Sequence, residues 1–148
     1  MILLDTNLLT CMTRSHDPQS GVARGTIQNL RGRREQLVIV PQNLYEFWAV
    51  ATRAAGAPPA GANGLGMPPA QAGRWLRFFR RRFTLLPDRE ELSGPWQTLV
   101  EANGVTGFRA HDVRLVAAMQ SYGINRLLTF NAVHFRGMPI AILDPASV

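Results

Sequence analysis

The sequence contains no lysine. All sixteen of its basic residues are arginine, and the ten acidic residues leave a net charge of +6 and a pI near 11.2. The planar guanidinium group pairs with two phosphate oxygens at once, so we expect a polyanionic partner rather than a lipid surface. A purely arginine composition can also reflect the base composition of the gene, and the two explanations are compatible. The absence of lysine excludes a P-loop nucleotide site, which needs a Gly-Lys-Ser/Thr motif.

Cysteine and long apolar runs are also scarce. Cys11 is the single cysteine, which excludes an internal disulfide and a cysteine-based zinc cluster and fits a reducing cytosol. The apolar opening of the chain is too short for a signal peptide and is broken by Asp5. No uninterrupted apolar run approaches the roughly 18 residues that a membrane-spanning helix needs. We therefore expect a cytoplasmic protein with no membrane segment.

Four short apolar runs predict buried strands, because continuous hydrophobicity is typical of parallel strands covered on both faces. These runs span residues 2–4, 37–40, 127–130 and 140–143. Helical patterns lie in residues 18–34, 41–55, 70–83, 89–104 and 111–123. Strands that alternate with helices predict an α/β fold, a three-layer α/β/α sandwich with a central, mostly parallel sheet.

Proline and glycine mark the boundaries of these elements. Pro41 suits the first turn of its helix, Pro95 favours a late start for the 89–104 helix, and Gly123 is a plausible cap. The apolar stripe of the 41–55 helix consists of Leu44, Phe47, Trp48, Ala51 and Ala55. Residues 56–69, with four glycines and four prolines, predict a flexible connection between two helices. The 148 residues fit one domain over residues 1–148.

Polar side chains with metal-binding or catalytic potential follow the predicted strands. Asp5 closes the first strand, Glu46 lies in the helix after the second, and Asp112 opens the helix before the third. Asn131 and His134 follow that third strand directly. Because ligands of open α/β sheets bind beyond the carboxyl ends of the strands, we expect these five residues at one edge.

Each of these residues also has an ordinary structural explanation. Asp5 and Asp112 could cap helices, Glu46 could face solvent, and His134 could be a surface or packing residue. Their convergence favours a site, because clustered carboxylates raise one another's pKa unless a cation lies among them. Oxygen ligands select Mg²⁺ or Mn²⁺ over zinc. Such a site suits phosphoryl chemistry, with the acids as ligands that also orient the attacking water.

Three further polar residues adjoin this predicted edge. Thr6 and Asn7 follow Asp5, and Thr129 lies at the end of the third strand. Their side chains could donate hydrogen bonds that orient the carboxylates.

Four blocks of the sequence, in order, resemble the signature blocks of PIN domains, and the similarity is closest to VapC-type ribonuclease toxins of bacterial toxin–antitoxin pairs. The blocks are ILLDTN, PQNLYEFWAVATR, HDVRLVAAM and LLTFNAVHF. The resemblance implies a PIN-like parallel sheet between helices, Mg²⁺- or Mn²⁺-dependent cleavage of RNA, and a homodimer. It also implies a cognate antitoxin that blocks the acidic pocket. By motif position, Asp5, Glu46 and Asp112 match the first three acids of the family, the metal ligands.

The fourth block departs from the family pattern. Members commonly have an acid at the position of Asn131 or of His134, and this chain has an acid at neither. An amide and an imidazole bind Mg²⁺ less well than a carboxylate, although histidine accepts Mn²⁺. We therefore expect a second metal to bind weakly or not at all, with activity that is one-metal, Mn²⁺-preferring or reduced.

Residues 74–83 combine an apolar stripe with a basic face. The stripe consists of Trp75, Leu76, Phe79 and Phe83, and the basic face of Arg74, Arg77, Arg80 and Arg81. This face could bind the RNA backbone beside the acidic pocket, or it could simply be solvated, with its late arginines complementing the helix dipole. Arg24, Arg31, Arg33 and Arg34 form a second candidate patch with the same two explanations.

Three functions are compatible with these observations to different degrees. The first is a metal-dependent endoribonuclease that acts as a toxin. The second is an RNA-binding module whose catalytic site is weakened at the fourth acidic position. The third, an aspartyl-nucleophile phosphatase, is disfavoured because such enzymes need a second aspartate where Asn7 stands and a lysine for the phosphate.

Overall fold

A computed structural model describes residues 1–56 and 64–148 of the protein. Residues 57–63, half of the predicted flexible connection over 56–69, lie outside the described residues. Within the described ranges, no helix combines the length and the apolar character that a membrane crossing requires.

The described residues form five strands, six α-helices and two short 3₁₀ helices. In chain order the α-helices and strands are β1 (Ile2–Leu4), α1 (Thr6–Met12), α2 (Pro18–Gly32), β2 (Leu37–Ile39), α3 (Pro41–Thr52), α4 (Pro69–Arg82), β3 (Thr84–Leu85), α5 (Ser93–Ala102), α6 (Arg109–Ser121), β4 (Arg126–Leu128) and β5 (Ala141–Leu143). The 3₁₀ helices are Ala132–Phe135 and Pro145–Ser147.

The ends of these elements follow from local chemistry. Three helices, α2, α3 and α4, begin on proline, whose fixed φ suits the first helical position. Gly123, in the left-handed conformation at φ 64°, ends α6, and the Ile124 amide donates to the Met119 carbonyl at 2.8 Å. This is a Schellman motif, and it confirms the predicted glycine cap.

The five strands form one sheet in the order β3-β2-β1-β4-β5, and every neighbouring pair is parallel. The strand order runs from the central β1 toward β2 and β3 on one side and toward β4 and β5 on the other. A crevice therefore opens between the carboxyl ends of β1 and β4, which is where open α/β sheets bind ligands.

Two apolar clusters cover the two faces of the sheet. Ile2 and Leu4 face a cluster built with α1, α2, α3 and α4, whereas Leu3 faces a cluster built mainly with α5 and α6. The alternation along β1 follows from the two-residue period of a strand. The predicted three-layer α/β/α sandwich is therefore confirmed.

Several predicted boundaries differ from the structure. The edge strand β3 was not predicted, and at two residues it is too short to produce an apolar run. The third predicted strand ends at Leu128 rather than at residue 130, and α5 begins only at Ser93. In the predicted stripe of α3, Trp48 is 39% exposed, because the helix buries Leu44, Phe47 and Ala51 on a narrower face. Ala55 lies beyond the end of α3 and is exposed.

Candidate acidic cleft

Asp5 lies directly after β1, at the crevice beside β4. It occupies the N-cap position of α1, but its side chain accepts no capping hydrogen bond, so helix capping does not explain the residue. Its Oδ2 accepts hydrogen bonds from Thr129 Oγ1 at 2.6 Å and from Asn7 Nδ2 at 2.8 Å. The parallel pairing of β1 with β4 brings Thr129 to Asp5 although the two residues are 124 positions apart.

Burial changes the acidity of Asp5. The residue is 7% exposed, and this desolvation, the largest influence, raises its pKa from 3.8 to about 6. The hydrogen bond from Thr129 opposes the shift, and the negative charges of Asp112 and Glu46 add to it. A carboxylate that is desolvated and repelled by two neighbours gains strongly from a nearby cation.

Glu46 is held at both carboxylate oxygens. Thr6 Oγ1 donates to Oε2 and Gln42 Nε2 donates to Oε1, each at 2.6 Å. Asn43, fully buried, supports Thr6 through a 3.2 Å hydrogen bond and also donates to the Leu4 carbonyl at 3.0 Å. The amino-terminal part of α3 is thereby attached to the end of β1, and Glu46 faces the cleft rather than bulk solvent.

Asp112 lies in the first turn of α6, which begins at Arg109, so it does not cap the helix as the alternative interpretation proposed. Its Oδ2 is 3.2 Å from His134 Nδ1. Burial is the main cause that raises the pKa of Asp112, and Glu46 adds to the rise, whereas His134 and Arg109 oppose it. Glu46 thus raises the pKa of both Asp112 and Asp5, and Asp112 raises that of Asp5.

These residues line one cleft of about 1410 Å³. The five predicted residues Asp5, Glu46, Asp112, Asn131 and His134 all line it, and so do Thr6 and Asn7. The structure thus brings the candidate site residues together at the carboxyl edge of the sheet. Their catalytic and ligand roles stay predictions.

A divalent cation fits the donor types and the charges of this cleft. Three carboxylates, two of them with raised pKa values, form a donor set of the kind that hard oxygen-seeking ions prefer. In the arrangement seen here, no three histidine, cysteine, aspartate or glutamate side chains of the described residues already form a metal-binding group. Asp5 Oδ2, Asp112 Oδ2 and both carboxylate oxygens of Glu46 take part in the hydrogen bonds and the ion pair described above.

Gln42 and Arg114 were not predicted as part of the site. Gln42 Nε2 donates to Glu46 Oε1 and also, at 2.7 Å, to the His111 carbonyl. Gln42 Oε1 accepts a hydrogen bond from Arg114 Nη1 at 2.9 Å. Arg114 also pairs with Asp88 at 2.7 Å. One signal in the sequence could have identified Gln42: it lies four residues before Glu46, on the same face of a helix.

The basic residues of the cleft are not those that the sequence indicated. Of the described residues that line the cleft, none belongs to α4, and its four arginines are Arg14, Arg53, Arg109 and Arg114. The α4 arginines therefore do not line the cleft itself. α4 does carry the predicted faces, with Phe79 and Phe83 buried and Arg74, Arg77, Arg80 and Arg81 exposed. RNA binding by those four arginines stays a prediction.

Two arginines of the second predicted patch have structural partners. Arg24 donates to the Met12 carbonyl at 2.6 Å, and Arg31 donates to the Arg82 carbonyl at 2.9 Å. Arg24, Arg74 and Arg82 also line a separate groove of about 630 Å³ between α2 and α4. RNA binding by this second patch stays a prediction.

Comparison with solved structures identifies the fold. The crystal structure of VapBC2 from Rickettsia felis, bound to a promoter DNA fragment, matches with a TM-score of 0.70 at 16% identity, covering 97% of this chain and 98% of that chain. VapBC-1 from nontypeable Haemophilus influenzae matches with a TM-score of 0.67 at 19% identity, covering 99% of each chain. VapC20 from Mycobacterium tuberculosis, described as a sarcin-ricin loop cleaving toxin, matches with a TM-score of 0.58 at 15% identity, covering 86% of this chain and 87% of that chain.

No protein-family model and no curated protein matches the sequence. The structural matches span almost the whole chain at low identity, so they establish the fold. The chain has the PIN-like fold of VapC-type toxins, with an acidic cleft at the carboxyl edge of its sheet.

Proposed function

We propose that the protein is a metal-dependent endoribonuclease that acts as the toxin of a type II toxin–antitoxin pair. The observation that carries the proposal is the single cleft that Asp5, Glu46 and Asp112 line together at the carboxyl edge of the sheet. Burial and mutual repulsion raise the pKa values of two of these acids. Such a site, on a fold shared with VapC toxins, supports hydrolysis of RNA phosphodiester bonds.

The three acids would hold Mg²⁺ or Mn²⁺. A bound ion supplies the positive charge that activates water and offsets the charge that develops on the phosphate. The chain contributes orientation: Thr129 and Asn7 hold Asp5, and Thr6 and Gln42 hold Glu46, so the carboxylates face the cleft in defined positions.

Cationic side chains would hold the RNA backbone. Arg109 lies at the start of α6, where its Nη2 donates to the His134 carbonyl at 2.7 Å, and Arg14 lines the cleft beyond α1. Guanidinium groups in these places attract the phosphates on either side of the scissile bond, which gives affinity that falls with salt.

His134 and Asn131 would adjust the choice of metal. The imidazole lies against Asp112 where the family pattern commonly has an acid nearby, and histidine suits Mn²⁺ better than Mg²⁺. We therefore expect greater activity with Mn²⁺ than with Mg²⁺.

We further propose that the protein acts in the cytoplasm as a homodimer and is inhibited by a cognate antitoxin. The related structures from Rickettsia felis and Haemophilus influenzae are described as VapBC complexes, and a further match is described as a toxin–antitoxin complex from Klebsiella pneumoniae. A small adjacent gene for a DNA-binding protein would support this proposal, and copurification of the two products would test it.

The direct test is cleavage of RNA by the wild type and by the Asp5→Asn and Asp112→Asn variants, with Mg²⁺ and with Mn²⁺. We expect both substitutions to reduce cleavage by at least 100-fold, because each removes a charge from the ion site. Glu101→Gln, on the exposed surface of α5, is the matched control and should cleave like the wild type. Cleavage that both cleft substitutions leave intact would refute the assignment.

The second candidate is an RNA-binding module whose catalytic site is weakened. The neutral Asn131 and the imidazole of His134 at the fourth position favour it. Calorimetric titration with Mn²⁺ separates the two candidates: a weakened module releases no binding heat at millimolar Mn²⁺, whereas a nuclease binds the ion and loses that binding in the Asp5→Asn variant.

A further inference from the structure

Two aromatic side chains lie exposed at the acidic cleft. Phe108 is 91% exposed and Tyr45 is 68% exposed, the highest values among the aromatic residues of the described chain. Both line the cleft that contains Asp5, Glu46 and Asp112. Exposed aromatic groups that gather at one cleft mark a binding surface, whereas scattered ones need no explanation.

Each aromatic residue is close in sequence to an acid that lines the same cleft. Phe108 immediately precedes α6 with helical φ and ψ angles, so it lies one turn before Asp112 and on the same helix face. The preceding Gly107 is in the left-handed conformation at φ 60°, which turns the chain into the helix at this point. On α3, Tyr45 directly precedes Glu46.

The surroundings indicate the ligand. Arg14, Arg109 and Arg114 also line the cleft. Arg14 and Arg114 pair with Asp17 and Asp88, whereas the guanidinium of Arg109 contacts a backbone carbonyl, so its charge can attract a phosphate to the same surface as the aromatic rings. The cleft volume of about 1410 Å³ exceeds the roughly 300–1,000 Å³ of most small-molecule sites. A chain that alternates phosphates with flat apolar groups satisfies both features, and only unpaired nucleotides present the faces of their bases for stacking.

We infer that Tyr45 and Phe108 form a stacking site for unpaired bases on either side of the phosphate that enters the acidic cleft. The inference rests on the proposed function and assigns the two side chains that hold the bases of the bound RNA. Stacking on two rings positions the strand by its bases, while the arginines hold its phosphates, so the two kinds of contact are separable by experiment.

The test compares two labelled strands of ten nucleotides, one with bases and one with abasic sugars. Fluorescence anisotropy in EDTA measures binding without cleavage, so its outcome does not depend on catalysis. Because stacking contributes about 1–3 kcal/mol per base, we expect Phe108→Ala and Tyr45→Ala each to weaken binding of the base-bearing strand by about 5- to 100-fold. Binding of the abasic strand should stay within twofold of wild type.

Trp48→Ala is the matched control, because Trp48 is a partly exposed aromatic residue of α3 that is not among the described residues lining the cleft. It should bind both strands as the wild type does, and Phe108→Trp should retain the preference for bases. Thermal unfolding checks that each variant is folded.

Several outcomes would overturn the inference. One is a wild type that binds neither strand or that binds both equally. Another is a Phe108→Ala variant whose affinity falls equally for both strands. A third is a Phe108→Ala variant that binds RNA normally but changes its mass in solution, which would assign the aromatic to a contact between copies of the chain. If metal-dependent cleavage persists in any of these cases, the proposed nuclease function is still supported.

Discussion

Replacing Asp5 with asparagine should stabilise the protein at neutral pH while it removes the proposed ion site. The amide has the shape of the carboxyl group, and its oxygen can accept the hydrogen bonds that Thr129 and Asn7 donate to Oδ2. The substitution therefore removes mainly the buried negative charge. Because the folded pKa of about 6 lies above the unfolded value of 3.8, ionised Asp5 destabilises the folded state.

The sign and size of the effect follow from proton linkage. Between pH 3.8 and about 6 the folded state retains a proton that the unfolded chain has lost, so wild-type stability falls as pH rises through this window. A shift of about two pKa units corresponds to about 3 kcal/mol above pH 7. For a chain of 148 residues, Asp5→Asn should then melt roughly 5–10 °C above wild type at pH 8, and the two should converge below pH 4.

The assay is thermal unfolding in EDTA from pH 3.5 to 8.5, with Glu101→Gln as the surface control. Addition of Mn²⁺ should raise the melting temperature of the wild type and leave that of Asp5→Asn unchanged, because only the folded wild type binds the ion. A variant that is less stable than wild type at pH 8, or that differs by the same amount at every pH, would show that the charge of Asp5 is not destabilising.

Three further substitutions test other parts of the structure. Thr129→Val removes a buried donor to Asp5, so it should raise the pKa of that acid further and cost about 1–3 kcal/mol in urea unfolding above pH 6; an unchanged pH profile would contradict this. Gln42→Leu leaves one oxygen of Glu46 without its donor and should lower kcat with little change in KM, measured on a short RNA; a change in KM alone would assign Gln42 to substrate binding. Phe79→Ala empties a fully buried position and should cost about 3–5 kcal/mol in the same unfolding assay; a loss below about 1 kcal/mol would mean that the cluster around it is loosely packed.

The sheet was largely predictable because its strands are buried on both faces. The run at residues 2–4 coincides with β1, and the run at 37–40 matches β2 to within one residue. The edge strand β5 (Ala141–Leu143) also lies within a predicted run, at residues 140–143. β3, at Thr84–Leu85, left no such run because only two residues form it.

Most residues of the candidate site could be predicted from the sequence, but the contacts between them could not. Because Asp5 ends a strand and Asn131 follows another, their meeting at one edge follows from the parallel sheet alone. Arg114 and Phe108 carry no comparable signal, and Gln42 carries only its four-residue spacing from Glu46. Their place in the cleft depends on how α3 and α6 pack against the sheet.

The sequence by itself determined approximately where four of the five strands lie, the predominance of arginine, and the order of polar residues along the chain. Only the tertiary structure decided how Asp5 is desolvated, which donors hold Glu46, and which arginines line the cleft. The physical reason is distance along the chain: Thr129 and Asp5 are 124 residues apart, and Thr6 and Glu46 are 40 apart. Hydrogen bonds, burial and pKa shifts at such separations arise only when the strands have paired and the helices have packed.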